Sequence, residues 1–450
     1  MTVSRDTIAA IRFGYGFHPA QGAPRDAADL LAGLRDAHAA EPAFPLAPRE
    51  NLAAMFEKEI AARKANDRPA IKEARKAMRL QAVRQGTGRL VQKALSQHGF
   101  YERLAAFWAD HFTVARRSAR HLALIPYFEP DTIRPHLMGR FADMLTAVAQ
   151  HPVMLVYLDQ ITSRGPNSAG GARKGRGLNE NLAREILELH TLGVGGGYTQ
   201  KDVREFAELL TGYAGRPREL TFRFVEGWAE PGAETVLGRT YGGGAPSADH
   251  AVELFQDLAR HPSTAKHLAR KLAVHFVADQ PDEDLVRHIA NAWRKTEGHL
   301  PTVYQAMLEH PSAWRNFGRK VKRPEDLVIS TLRAAGVDRA MAKRLQKKNG
   351  IQIMRALRSM NQPMFNPPGP DGWPEEASAW ITPQGLAGRL TYAAQVGQLL
   401  AKSKKVDPRR FAETTLRGAL RPATMFAVGG APDRWEGIAL TLASPEFNRR

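Results

Sequence analysis

Cysteine is absent from the 450-residue sequence, and this absence narrows the chemistry that is open to the protein. Without thiols the chain has no disulfide framework, thiolate zinc site, iron–sulfur cluster or cysteine nucleophile. A metal site would have to be built from histidine, aspartate and glutamate side chains. The sequence identifies neither a metal nor another cofactor, and both questions stay open.

Long apolar runs are also absent. The richest one, "MLTAVAQHPVMLVYL", is interrupted by Gln150, His151 and Pro152, whereas a membrane span needs about 18 uninterrupted apolar residues. The N-terminal stretch "MTVSRDTIAAIRFGYGF" lacks the apolar core of a secretory signal because Arg12 interrupts it after four apolar residues. We therefore expect no transmembrane segment and a cytoplasmic location by default, with export alongside a partner as the alternative.

Positive charge is in excess and is unevenly distributed. The chain has 64 Lys and Arg against 46 Asp and Glu, a formal net charge of +18, and residues 61–93 hold ten Lys and Arg against two acids. Such a segment attracts nucleic acid, acidic lipid or an acidic partner protein, and we take Arg75, Lys76 and Arg79 as its predicted binding residues. It contains no aromatic residue on which a single-stranded nucleic acid could stack. The alternative is an ordinary solvated basic helix.

Apolar periodicity typical of helices runs through most of the chain, including residues 69–85, 100–118 and 283–296, and predicts a mainly α, large multi-helix globular fold with one β-hairpin insertion. The hairpin is predicted near 220–238, where "LTFRFVEGWAEPGAETVLG" alternates around a Gly- and Pro-containing turn. The predicted segments are an N-terminal helical segment 1–60, a basic helical segment 61–98, a helical core 99–360 that includes the hairpin, a Pro/Trp-rich loop 361–385 and C-terminal helices 386–450.

The glycine run in "HTLGVGGGYTQKDV" separates two helices and is not a phosphate-binding loop. It lacks the GxxxxGK[ST] pattern, and it follows a helix where a dinucleotide fingerprint would follow a strand. Gly193 is placed to end the preceding helix. Thr199 and Asp202 are spaced to cap the next one.

Two polar side chains fall on apolar helix faces. On a helical wheel for residues 178–192, Glu185 lies inside the apolar stripe, His190 flanks it and Glu188 lies beside the polar face. His111 lies at the centre of the apolar face of "FYERLAAFWADHFTVARR". Because burial of an unpaired polar group costs several kcal/mol, these side chains need partners.

The simplest hypothesis is that Glu185 and His111 meet in the interior, with Glu188 and His190 as secondary catalytic candidates. Such a pair could serve as a general acid/base unit or as two metal ligands. The structural alternative is that both side chains only tie helices together. Trp373 and Trp380 of the loop 361–385 are predicted to line a groove over this site.

Six motifs, in order, resemble the domain-of-unknown-function family numbered 1800: "FWADHFTV", "GLNENLAREILELHTLGVGGGYTQKDVREFAELLTGY", "HPSTAKHLARKLAVHFVAD", "RPEDLVISTLRAAG", "PPGPDGWPEEASAWITPQGLAGRL" and "LASPEFNRR". The resemblance extends from about Ile8 to the C-terminus. It implies a mostly helical bacterial protein without an established activity. It also implies a protein partner from the family numbered 1501, whose members resemble sulfatases.

Two functions are compatible with these features. The first, which we prefer at this point, is an enzyme of hydrolase or modifying type that uses the buried His/Glu pair. The second is a non-catalytic accessory or binding protein that docks an acidic partner or polyanion through residues 61–93. The sequence names no substrate, reaction or oligomeric state.

Overall fold

Helices form most of the chain, as the periodicity predicts, and the computed structural model describes residues 3–171, 177–403 and 406–450. Within these ranges there are 23 α-helices and two small two-stranded sheets. The mainly α fold with a β insertion is confirmed. Over the same ranges, no helix combines the length and apolar character that crossing a membrane requires.

The first ten helices precede the β insertion: α1 Arg5–Ile8, α2 Ala27–Ala39, α3 Arg49–Lys64, α4 Arg68–Leu95, α5 Gly99–His111, α6 Ala119–Thr132, α7 Phe141–Gln150, α8 Pro152–Tyr157, α9 Asn181–Glu185 and α10 Gln200–Leu209. The next six follow it: α11 Asp249–Arg260, α12 Pro262–Phe276, α13 Glu283–Thr296, α14 Leu300–Glu309, α15 Pro324–Ala334 and α16 Arg339–Arg344.

The last seven are α17 Gly350–Ser359, α18 Ala377–Trp380, α19 Pro383–Ser403, α20 Pro408–Leu416, α21 Pro422–Gly429, α22 Arg434–Ala443 and α23 Pro445–Asn448. Three π-helical turns occupy Ala9–Phe13, Ile186–His190 and Leu345–Asn349. Short 3₁₀ turns occupy Arg134–His136, Gln160–Thr162, Glu226–Trp228, Pro311–Trp314 and Arg417–Ala419.

The β insertion contains two hairpins where the sequence predicted one. Strand β1 (Tyr213–Arg216) pairs antiparallel with β2 (Thr221–Phe224), and β3 (Ala233–Val236) pairs with β4 (Arg239–Gly242). The two predicted strands on either side of the Gly/Pro turn therefore do not pair with each other. Each has a nearer partner, and β3 reaches β4 through a two-residue turn with positive φ angles, the geometry that suits strand twist.

Helix α4 is the long basic helix of the fold, and it begins where Asp67 accepts the Ala70 N–H at 2.9 Å. It continues ten residues beyond the predicted end at residue 85 and packs against α3, α6 and α15. Gly86 lies at a close contact with the Pro/Trp-rich loop, since a Cβ there would lie 2.7 Å from Phe365 Cζ. The absence of a side chain at Gly86 lets this loop pack directly on α4.

Helix α6 was not predicted, because prolines at 126 and 130 interrupt the helical pattern. The predicted helix over 100–118 instead ends at His111, and α6 begins after Ser118, whose Oγ accepts the His121 N–H at 3.1 Å. The extended link between the two helices carries Arg116 and Arg117, and Arg120 lies just inside α6. This interruption brings them next to α3 and α4.

Histidines that precede a helix-starting proline act as helix caps. The Nδ1 atoms of His151, His261 and His310 accept the backbone N–H two residues later at 3.2, 3.1 and 3.3 Å. Proline fits the first turn that follows because its missing N–H would have no helical partner there. These histidines contribute to helix starts and not to a shared site.

Candidate functional site

His111 is buried, as predicted, but its partner is backbone. Its Nε2 lies 3.1 Å from the carbonyl oxygen of His190, and its ring packs among Trp108 and Phe112 at centroid distances of 5.4 and 4.6 Å. Burial is the main cause that holds its pKa well below the ordinary value, and the charge of Lys271 adds to the effect. His111 is therefore a neutral imidazole at neutral pH.

His190 is also buried, which the helical wheel did not indicate. It ends the π-helical turn Ile186–His190, in which hydrogen bonds close over five residues instead of four. Each residue of such a turn rotates about the helix axis through a smaller angle than in an α-helix. His190 therefore lies within the apolar stripe and not at its edge. Burial and then Lys271 lower its pKa to about 3. Its ring centroid lies 5.9 Å from that of His111.

Glu185 is half-buried and does not meet His111. No hydrogen bond or ion pair joins the two side chains, both of which belong to the described ranges. Burial raises the pKa of Glu185 to about 7, and the negative charges of Glu188 and Asp371 contribute to the shift. Glu185 therefore lies close enough to Asp371 of the Pro/Trp-rich loop to feel its charge. Glu188 forms an ion pair with Arg184 at 3.5 Å.

The raised pKa of Glu185 predicts a pH-dependent stability difference. In the unfolded chain the carboxyl releases its proton near the ordinary value of 4.5, and in the folded chain near 7. Its favourable contribution is therefore full below pH 4.5 and is lost as the pH rises to about 7. We expect Glu185→Gln, which cannot ionise, to raise the melting temperature relative to the wild type more at pH 8 than at pH 5.

Thermal melts of both proteins at the two pH values measure this difference. The matched control is Glu226→Gln, which removes an exposed carboxylate from the β insertion. Its offset from the wild type should be the same at pH 5 and pH 8. A Glu185→Gln offset that does not change with pH would contradict the assignment of the shift to Glu185.

A cavity of about 150 Å³ does lie beneath the Pro/Trp-rich loop, with Trp373 in its wall. Its floor contains Asp110, the neighbour of His111 in sequence, and neither His111 nor Glu185 is among the lining residues. Asp110 Oδ2 pairs with Arg323 Nη1 at 2.5 Å, and its Oδ1 accepts the Trp373 N–H at 3.1 Å.

The charges around this cavity cancel. Three cations and three carboxylates line it and pair with each other: Arg323 with Asp110, Lys93 with Glu325 at 2.7 Å, and Arg89 with Glu129. Such walls do not select a charged ligand. Trp380, the second predicted tryptophan, is buried and donates from Nε1 to the carbonyl oxygen of Pro374 at 3.0 Å, so it supports the loop from within.

Glu375 anchors this loop to a buried network of charges. Its Oε1 lies 2.5 Å from His275 Nδ1, and its Oε2 lies 3.1 Å from Lys320 Nζ. His275 Nε2 lies 3.2 Å from a guanidinium nitrogen of Arg103, which can only donate. His275 is therefore the neutral tautomer with its proton on Nδ1, in agreement with burial lowering its pKa to about 4.

A cleft of about 650 Å³ beside the N-terminal half of α4 is lined by six arginines and one acid. The acid, Glu59 of α3, has a side chain that is only 1% exposed. It accepts from Nε of Arg63 at 2.8 Å and of Arg75 at 3.1 Å, and also from Nε of Arg120. We call this the arginine cleft; its arginines are Arg63, Arg75, Arg79, Arg116, Arg117 and Arg120.

The arginine cleft keeps a strong positive charge after this internal pairing. Arg79 is exposed, Arg116 donates to the uncharged amide oxygen of Asn366 at 3.3 Å, and Arg117 pairs with Asp159 at 2.5 Å while half-exposed. Ser118 and Ala119 place the positive N-terminal end of α6 in the same wall.

Two of the three predicted binding residues lie in the arginine cleft. Arg75 and Arg79 are one helical turn apart on α4 and share its wall. Lys76 follows Arg75 by one residue, is rotated away from the cleft by about 100°, and pairs with Glu73 at 3.5 Å. The structure thus places Arg75 and Arg79 in one wall and Lys76 outside it, and binding by these residues stays a prediction.

The family pattern described as protein of unknown function (DUF1800) matches residues 8–449, nearly the whole chain. The chain belongs to the DUF1800 family. No curated protein and no solved structure matches it. DUF1800 membership confirms the resemblance in the sequence motifs, and the description of the family assigns no activity.

The sequence did not predict three charged residues around the Pro/Trp-rich loop: Asp110, Arg323 and Glu375. Asp110 falls on the polar side of its helical wheel, so it carries no sign of burial. The partner that makes its burial possible lies 213 positions away in the chain. A local pattern contains no signal for such a pair.

Proposed function

We propose that the protein is a binding protein that docks an acidic segment of a partner protein in the arginine cleft. The observation that carries the proposal is the meeting of six guanidinium groups with one buried carboxylate around one open cleft. Arginine presents a planar fork of donors that matches carboxylate and phosphate oxygens in pairs. Glu59 orients the guanidinium groups of Arg63, Arg75 and Arg120. The other three arginines of the cleft are exposed to solvent.

An acidic protein segment fits the cleft better than a nucleic acid. The lining contains no aromatic side chain on which a base could stack. The positive charge is gathered around one cleft and does not follow a long track. The family resemblance points to a protein of the family numbered 1501 as the candidate partner.

The test is binding of a fluorescein-labelled oligoglutamate to the full chain, followed by anisotropy at low and high NaCl. The variant Arg79→Ser/Arg116→Ser/Arg117→Ser removes cleft arginines that do not bond to Glu59. Each contact of this kind is worth about 0.5–1 kcal/mol, so the variant should bind about 10- to 100-fold more weakly. Wild-type binding should also weaken steeply with salt.

A matched control removes three cations elsewhere. Lys347→Ser/Lys348→Ser/Arg410→Ser changes exposed residues outside the arginine cleft by the same net charge, and it should bind like the wild type. Equal loss in both variants would mean that net charge and not the cleft attracts the peptide. Tighter binding of a single-stranded oligonucleotide of equal charge would assign the cleft to nucleic acid.

The enzyme hypothesis keeps one supporting observation, which concerns Glu185 and not a His/Glu pair. A carboxyl whose pKa lies near 7, beside Asp371 at the Pro/Trp-rich loop, has the proton affinity of a general acid or base. Its test is a screen with chromogenic ester, phosphate and sulfate substrates. Turnover that is lost in Glu185→Gln and kept in His111→Gln would support this function, and no turnover in the wild type would count against it.

A further inference from the structure

Three glutamates meet where helix α10 packs against strand β3. Glu205 and Glu208 are one turn apart on α10, and Glu234 points toward them from β3. One carboxylate oxygen of each lies within 4.8 Å of the corresponding oxygens of the other two. Like charges at this distance repel each other unless a cation lies between them or one carboxyl keeps its proton.

Glu234 is the residue that distinguishes this group from an ordinary acidic surface. It is only 8% exposed, and among the described residues no Lys, Arg or His forms an ion pair with it. Burial, together with Glu205 and Glu208, raises its pKa to about 8. By contrast, Asp326 and Glu59, two other buried carboxylates, each contact two or more arginines.

Glu205 and Glu208 are each held in place by a partner outside the group of three carboxylates. Glu205 Oε2 accepts the backbone N–H of Thr235 at 2.9 Å, which fixes it against β3. Glu208 Oε1 lies 3.1 Å from Nε of Arg204, a largely exposed side chain on the outer surface of α10. Both glutamates are partly exposed, so water can reach the oxygens between them and Glu234.

We propose that Glu205, Glu208 and Glu234 form a calcium site that joins α10 to the second hairpin. Carboxylates without histidine or cysteine select hard cations such as Ca²⁺, Mg²⁺ and Mn²⁺. Ca²⁺ binds oxygen at about 2.3–2.6 Å and accepts irregular geometry, so oxygens on opposite sides of the ion lie about 5 Å apart. Mg²⁺ requires a tighter octahedron at about 2.0–2.1 Å. Separations of at most 4.8 Å fall within the span of a Ca²⁺ coordination shell, and Ca²⁺ does not require the near-ideal octahedron that Mg²⁺ does.

The test uses the full chain after EDTA treatment and dialysis. CaCl₂ is titrated by calorimetry, and thermal melts are recorded with 1 mM CaCl₂ or MgCl₂ at constant ionic strength. A ligand that binds only the folded state raises the melting temperature, and we expect one calcium site per chain with a rise of about 2 °C or more. Magnesium should give a smaller rise.

Glu234→Gln keeps the shape of the side chain and should abolish both the heat and the rise. Glu205→Gln provides a second variant at a partly exposed position if Glu234→Gln folds poorly. The matched control is Glu226→Gln, an exposed carboxylate of the same β insertion, which should respond like the wild type. Absence of a calcium response in the wild type, or a full response in Glu234→Gln, would overturn the site. An equal rise with MgCl₂ would overturn the choice of calcium.

Discussion

Asp326→Ala should lower the free energy of unfolding by about 3–5 kcal/mol, the range for breaking a buried ion pair by removing one partner. The carboxylate of Asp326 is buried on α15, and its Oδ2 lies 3.4 Å from Arg103 Nη1 and 2.9 Å from Arg450 Nη1. Both guanidinium groups are at most 1% exposed. Without Asp326 they would remain as two like charges in the interior.

The loss should also depend on pH. Burial opposes ionisation of Asp326, but the charges of Arg103 and Arg323 outweigh it and lower its pKa. A group with a depressed pKa contributes stability that is present above its ordinary pKa and is lost as the pH falls through the folded value. The difference between wild type and Asp326→Ala should therefore be full at pH 7 and shrink in acid.

Urea unfolding at pH 7 measures the effect. The matched control is Asp284→Ala, which removes a carboxylate that is 64% exposed and pairs only with Arg287 on the surface of α13. Surface pairs contribute about 0–1 kcal/mol, so this variant should unfold near the wild type. A similar cost for both variants would show that the buried arginines find water or other acceptors once Asp326 is gone.

Local sequence patterns predict helices well where one turn resembles the next. Helix α13 spans Glu283–Thr296, as its periodicity predicts, and the helix starts after histidine–proline pairs follow from proline geometry. The failures have local causes. Helix α6 was not predicted because Pro126 and Pro130 interrupt its helical pattern. The burial of His190 was not predicted because the π-helical turn at 186–190 changes the rotation per residue.

The candidate sites depend on contacts that no local pattern contains. Arg75 and Arg79 could be predicted from the charge run, but Arg116, Arg117 and Arg120 join them only because α6 packs on α4. Glu234 likewise reaches α10 on strand β3, which pairs with β4, whereas the sequence predicted pairing across the Gly/Pro turn. In both places the sequence shows the charged residues, but only tertiary packing brings them together.

The predicted His111/Glu185 pair illustrates the same limit. The wheel correctly indicated that His111 is buried, since α5 is a regular α-helix from Gly99 to His111. It could not indicate that a backbone carbonyl would be the partner of its Nε2, because this carbonyl belongs to His190, 79 positions away in the chain. A buried histidine therefore needs a partner, but the sequence does not say that the partner is a side chain.

Glu375→Ala should release the Pro/Trp-rich loop at a cost of about 2–4 kcal/mol, less than Asp326→Ala. The reason for the smaller cost is that the cations around Glu375 keep second partners. Lys320 retains Asp279 at 2.7 Å, and Arg323 retains Asp110 at 2.5 Å. His275 loses the acceptor of its Nδ1–H in a buried position, which accounts for much of the remaining cost.

Hydrogen exchange can separate loop release from global unfolding. Trp373 and Ala377 flank Glu375, and their N–H groups donate to Asp110 and Asp279 at 3.1 and 3.0 Å. In Glu375→Ala these two amides should lose protection more than the amides of α13, which lies outside the network. Glu376→Ala, one residue away and exposed, should leave all of them unchanged. Equal protection in the two variants would show that Asp110 and Asp279 hold the loop without Glu375, because each binds both a loop amide and a buried cation.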